Sequence, residues 1–136
     1  MDRSELKQYY LDVRRESEAI CAPLAAEDHV PQPIEDVSPP KWHLGHVSWF
    51  YEAVFLEKYI PGYKPFHPQY AWMFNSYYES FGVRVQRPLR GTLSRPTIDE
   101  VMAYRAYVDE QMCGLIEGIK DEGWADFADL LVLALN

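Results

Sequence analysis

The 136-residue chain lacks most features that mark disulfide-bonded, membrane-spanning or nucleic-acid-binding proteins. Cys21 and Cys113 are its only cysteines. Two are too few for a disulfide framework, and they predict a reduced, cytoplasmic setting. Basic residues are outnumbered 13 to 21, for a net charge of −8. Nucleic acid and anionic membrane surfaces are both bound through Lys and Arg, so neither is an expected partner. The longest uninterrupted apolar run is Leu130 to Leu135, far short of the ~18 residues of a membrane helix. Met1 to Glu5 holds no apolar stretch and no small-residue cleavage site, so no signal peptide is expected. Also lacking are period-two alternation, internal repeats, a Gly-rich phosphate loop, a Ser-His-Asp set and a paired-carboxylate signature.

Apolar residues are plentiful, at 48%, and include ten Tyr and four Trp. One domain with a packed core follows, burying roughly two-thirds of the unfolded chain's surface. The apolar spacing is helical throughout. Leu6, Tyr10, Val13, Ile20 and Leu24 share a face, with Ser17 in the gap, and predict a helix from Ser4 to Leu24. Pro31, Pro33, Pro39 and Pro40 make the next segment an extended connection. Ser38 is a candidate N-cap for a second helix. Its stripe of Trp42, His46, Trp49, Ala53, Leu56 and Ile60 reads as a bundle seam, ended by Pro61 and Gly62.

Tyr70, Phe74, Tyr77 and Phe81 suggest a short aromatic helix closed by Gly82. Arg84, Arg87, Arg90 and Arg95 follow, in a basic loop with Pro88, Gly91 and Pro96. Thr97 and Glu100 form a capping-box pattern that opens a helix to Ile119, with Val101, Tyr104, Val108, Met112 and Leu115 inward. After Gly123 a last helix starts at Trp124. The fold class is all-α, a four-helix bundle whose fourth helix is incomplete. A half-length last helix leaves core side chains without partners, so truncation, or self-association through this helix, is expected.

His46 is the first candidate for chemistry. A lone histidine on an apolar stripe is either a buried neutral imidazole bonded to a neighbouring helix or a metal ligand aimed into the bundle. A catalytic metal needs about three protein ligands. His43 is one turn back on the flank, and His29 and His67 sit in loops. These residues alone make no complete metal site. The loop arginines either pair with the surplus acids, or one of them, Arg87 or Arg90, clamps a carboxylate. Trp42, Trp49, Tyr77 and Tyr78 are either core or a cage for a quaternary ammonium. Cys21 and Cys113 read as buried small residues rather than nucleophiles.

The stretch Ser38-Pro-Pro-Lys-Trp-His-Leu-Gly-His-Val-Ser-Trp-Phe-Tyr-Glu52 resembles the N-terminal DinB-like domain of the ergothioneine-biosynthesis sulfoxide synthases (hercynine oxygenases). So do Arg14 to Glu18, Phe74 to Tyr78, Gln86 to Pro96 and Tyr104 to Asp109, so the likeness covers nearly the whole chain. The resemblance implies a DinB/YfiT-like bundle carrying non-haem iron(II) on three histidines. It also implies O2-dependent joining of a thiol, cysteine or γ-glutamylcysteine, to hercynine. His46 matches the ligand on the second helix, and His43 matches a position the family does not use. The other two ligands form a His-x-x-x-His pair following a leucine-rich helix start like Asp129 to Asn136. Both are missing here, as is the family's sulfatase-modifying-factor-like C-terminal domain. Arg87 is the better match to an arginine the family directs at the thiol substrate, with Arg90 beside it. The expectation is a fragment of residues 1–136 that supplies one metal ligand, no catalytic residue, and binds no iron by itself. A stand-alone DinB-like metal-dependent thiol transferase and a non-catalytic helical interaction domain are the alternatives.

Overall fold

The computed structural model describes residues 1–76 and 85–136, and every regular element in them is helical. The elements are α1 (Arg3–Cys21), α2 (Pro40–Tyr51), α3 (Glu57–Tyr59), α4 (Tyr70–Phe74), α5 (Ile98–Gly118) and α6 (Asp121–Leu135). Two 3-10 turns cover Ala26–His29 and Arg87–Thr92, and a π-turn over Glu52–Leu56 runs α2 into α3. Tyr77, Tyr78, Phe81, Gly82 and Arg84 lie outside the described residues.

Local chemistry explains the helix starts. Asp2 accepts from the Glu5 N–H at 2.8 Å while Glu5 accepts from the Asp2 N–H at 2.8 Å, a reciprocal cap for α1. Thr97 accepts from the Glu100 N–H at 3.2 Å and opens α5. At α2 the expected cap is displaced. Pro39 is the N-cap in extended backbone and Pro40 fills the first turn, its ring preset for helical φ. The Ser38 hydroxyl accepts from Arg90 instead.

The stripe on α5 is buried as its spacing requires: Val101, Tyr104, Val108, Met112 and Leu115 all face inward, joined by Ile116 and Arg105. α5 packs on α1 and α2, and α6 packs on α1. Phe127 of α6 meets Phe55 and Tyr59 edge-on at 5.8 and 5.1 Å, which ties α6 to the π-turn and α3. Each fully buried Phe or Leu of this core contributes ~1.5–3 kcal/mol relative to exposure. α6 starts three residues ahead of Trp124, and its Leu133 is exposed while Phe127, Leu131 and Leu135 are buried.

Two inward positions differ from the apolar pattern. Ile20 is 72% exposed, whereas Arg14 is buried. Arg14 is tolerated inside because its Nε donates to Asp109 at 2.7 Å and an Nη donates to Ser48 at 2.6 Å. The second helix is not one continuous α-helix to Ile60. Its inward Glu52 accepts from the hydroxyls of Tyr63 (2.6 Å) and Tyr104 (3.0 Å) and from the Phe66 N–H (3.2 Å). The π-turn begins at this buried carboxylate. Cys21 and Cys113 are free thiols and half-buried rather than buried.

Candidate functional site around His46

Helix α4 is only five residues long, so its last four carbonyls have no partners within the helix. The Asn75 N–H covers the Ala71 oxygen at 3.2 Å, and the Val85 N–H covers that of Trp72 at 3.2 Å. Side chains from α2 cover the other two. The Trp42 indole N–H donates to the Met73 oxygen at 2.9 Å, and the His46 Nδ1–H donates to the Phe74 oxygen at 2.7 Å. Gly45 lets α4 come this close, because a Cβ there would lie 2.4–2.6 Å from the Phe74 ring.

That bond fixes the chemistry of His46. A carbonyl only accepts, so Nδ1 carries the proton, and in the neutral ring Nε2 keeps its lone pair. A metal-ligating histidine is oriented by this same second bond. The ring stacks on Trp42 at 4.6 Å, tilted by 9°, and on Trp49 at 5.7 Å. Burial lowers its pKa from the ordinary histidine value. His43 and Arg90 push the same way, and the Phe74 bond opposes them. The neutral, lone-pair-bearing form is therefore favoured at neutral pH.

The imidazole lines a cavity of about 420 Å³ together with Asp36, His43, Ser76, Arg87 and Arg90, a size suited to a small ligand. The Arg90 guanidinium lies 3.7 Å from the centroid of the Trp42 ring and donates to Ser38 at 2.9 Å. Arg90 is buried and Arg87 half-buried. The structure thus gathers His46, Arg87 and Arg90 at one cavity, with His43 at its edge. It does not gather the other histidines. His29 holds the Ala25 oxygen at 2.8 Å within its own turn, and His67 accepts from the Gln69 N–H at 3.1 Å and stacks on Tyr70. Among the described residues no group of three His, Cys, Asp or Glu side chains is placed to hold a metal ion. Of these side chains, His46 has the fixed tautomer and orienting second bond of a metal-ligating histidine.

Trp42 and Trp49 are core side chains, 4% and 2% exposed. Only Trp42 reaches the cavity, where Arg90 and His46 are its ring neighbours. A larger groove of about 970 Å³ runs beside α5 and α6 past Tyr59, Gly114 and Gly118. None of the described residues that line it is a histidine or an arginine. The sequence reading missed Gln32, Lys41 and Glu52. Gln32 and Lys41 anchor the arginine loop, and Glu52 fixes the π-turn. A glutamine in a proline-rich connection and a lysine between prolines and a tryptophan carry no spacing signal.

A helical bundle with an oriented imidazole on its second helix belongs to the class in which sites are built from side chains on facing helices. A family model described as the DinB superfamily matches residues 9–130, and the chain belongs to that superfamily. Its members are often metal-dependent. No curated protein matches the chain. No helix among the described residues is long and apolar enough to cross a membrane.

Proposed function

We propose that the chain is the N-terminal part of an iron(II)- and O2-dependent sulfoxide synthase, which joins cysteine or γ-glutamylcysteine to hercynine. The observation that carries this reading is the His46 imidazole, protonated at Nδ1 by its bond to Phe74, in one cavity with Arg87 and Arg90. In the net reaction an imidazole C–H, a thiol S–H and O2 give a C–S bond with one oxygen on sulfur. The second oxygen leaves as water with both hydrogens. Iron(II), when bound, supplies the O2 chemistry. His46 offers it one neutral donor, and neutral imidazoles leave coordination positions for other ligands. Arg87 and Arg90 pair with the carboxylate of the thiol substrate. No residue described here takes a catalytic role, and the chain alone is expected to be inactive. A reduced, cytoplasmic setting suits the free thiols Cys21 and Cys113. Exposed Leu133 on α6 is the expected seat of any self-association.

The test uses protein expressed from its own reading frame. Hercynine with cysteine or γ-glutamylcysteine, iron(II) and O2 should give the mass of a sulfoxide conjugate. His46→Asn retains an amide donor for the Phe74 oxygen while deleting Nε2, so the fold should persist while iron loading and product are lost. Iron loading that survives this change would move the ligand elsewhere. A conjugate formed equally well without O2 would make the protein a thiol transferase. Stoichiometric iron(II) bound through histidine by the 136-residue chain alone would overturn the reading of an incomplete site.

A further inference from the structure

Arg87 and Arg90 sit on a short 3-10 turn, Arg87–Thr92, whose local bonds run from the Leu89 N–H to the Gln86 oxygen at 2.9 Å and from the Thr92 hydroxyl to the Leu89 oxygen at 2.6 Å. A side chain from far back in sequence adds two bonds that span it. The Gln32 Nε2 donates to the Arg87 carbonyl at 2.6 Å, and its Oε1 accepts from the Gly91 N–H at 2.6 Å. An amide side chain offers one donor and one acceptor in this fork, whereas an ionised carboxylate offers acceptors alone. Gln32 thus pairs with the turn as a neighbouring peptide unit would, and its two contacts bracket Arg90. Gly91 is required by the closeness of the pair, since a Cβ there would lie 2.6 Å from the Gln32 Cβ. Beyond the turn, Lys41 donates from Nζ to the Leu93 oxygen at 2.9 Å.

We infer that Gln32 is the positioning residue for the carboxylate-binding arginines: its amide clamps both ends of their turn and so sets how strongly the cavity prefers a carboxylate. This rests on the reading of Arg87 and Arg90 given above. Recognition by a planar guanidinium depends on where the fork is launched and how much ordering is left to the moment of binding. With the backbone at 87 and 91 clamped, that ordering is completed on folding. Gln32 itself is only half-buried, so replacing it does not hollow the core.

The experiment compares the affinity of the protein, expressed from its own reading frame, for cysteine and for cysteine methyl ester by calorimetry. The wild type should prefer the acid. Gln32→Met, of the same reach but unable to hydrogen-bond, should cut that preference by roughly tenfold, equivalent to about 1.4 kcal/mol, with the melting temperature nearly unchanged. Gln32→Glu keeps an acceptor for the Gly91 N–H and loses the donor to Arg87, so its preference should fall between the two. Arg87→Gln and Arg90→Gln test the underlying reading. If the wild type shows no preference, or if neither arginine variant reduces it, the carboxylate site falls and this inference falls with it. If the arginine variants lose the preference and Gln32→Met keeps it, Gln32 is not a positioning residue and the site stands. If Gln32→Met weakens acid and ester equally and lowers the melting temperature, its role is structural only and the inference is overturned.

Discussion

At the scale of single residues, the space at Gly45 decides whether His46 can be oriented at all. The Phe74 ring occupies the place of a Cβ on Gly45, and the Phe74 backbone carbonyl is the acceptor for His46. Gly45→Val puts a branched side chain into that ring. Its gain in helix propensity is only a few tenths of a kcal/mol, while overpacking a filled core costs ~1–3 kcal/mol. The expected outcome is a lower midpoint in urea unfolding and loss of the slowly exchanging His46 Nδ1–H signal in proton NMR. An unchanged midpoint would mean that Phe74 can swing away at no cost. His46 shows what the sequence did and did not carry at this scale. Its helix, stripe and flanking tryptophans were legible from spacing. Its tautomer was not, because the carbonyl that sets it comes from α4, 28 residues on, and reaches α2 only through folding.

At the scale of elements, the bundle is pinned by a buried arginine where the pattern reads as an apolar seam. Arg105 is fully buried on α5. It donates to the Leu44 oxygen of α2 at 3.0 Å, and to the Arg14 oxygen (3.2 Å), Ser17 (2.8 Å) and Glu18 (3.3 Å) of α1. Burial and the nearby Arg14 lower its pKa, yet a guanidinium stays charged. The charge is therefore held by four acceptors rather than avoided. Hydrogen bonds from a charged group contribute ~1.5–3 kcal/mol each, so Arg105→Ala should cost on the order of 3–5 kcal/mol in denaturant unfolding once the cavity is added. Arg105→Lys should recover little, since a compact ammonium cannot span three helices. That the described elements are all helical followed from the apolar period. The breaks in that period did not, because Arg14, Arg105 and Glu52 are inward for reasons of polar pairing that no hydropathy pattern records.

For the whole molecule, the abundance of tyrosine gives the fold a defined alkaline limit. Tyr10, Tyr51, Tyr63, Tyr70 and Tyr104 all have phenol pKa values raised above 10.0, with burial as the leading cause in each. Tyr63 and Tyr104 are raised further by the shared Glu52 carboxylate, whose charge repels a phenolate. Arg14 partly opposes the shift at Tyr10, and Asp109 adds to it. A raised phenol pKa means the folded chain keeps protons that the unfolded chain releases above pH 10. Stability from these groups is then fully present below about pH 10 and falls as pH rises above it. For the fully buried Tyr10 and Tyr104, the slope is about 1.4 kcal/mol per pH unit each. Lys41 works in the other direction, because burial lowers its pKa from 10.5. Its charged form is penalised in the fold, and that penalty is relieved as pH rises toward 10.5, with no further gain beyond. The tyrosines therefore decide the sign above pH 10.5. Titration followed at 295 nm should show Tyr10, Tyr51, Tyr63, Tyr70 and Tyr104 ionising only as helical circular dichroism is lost, in one cooperative step. Gradual ionisation of these five with the helical signal intact would mean that the core phenols are open to solvent.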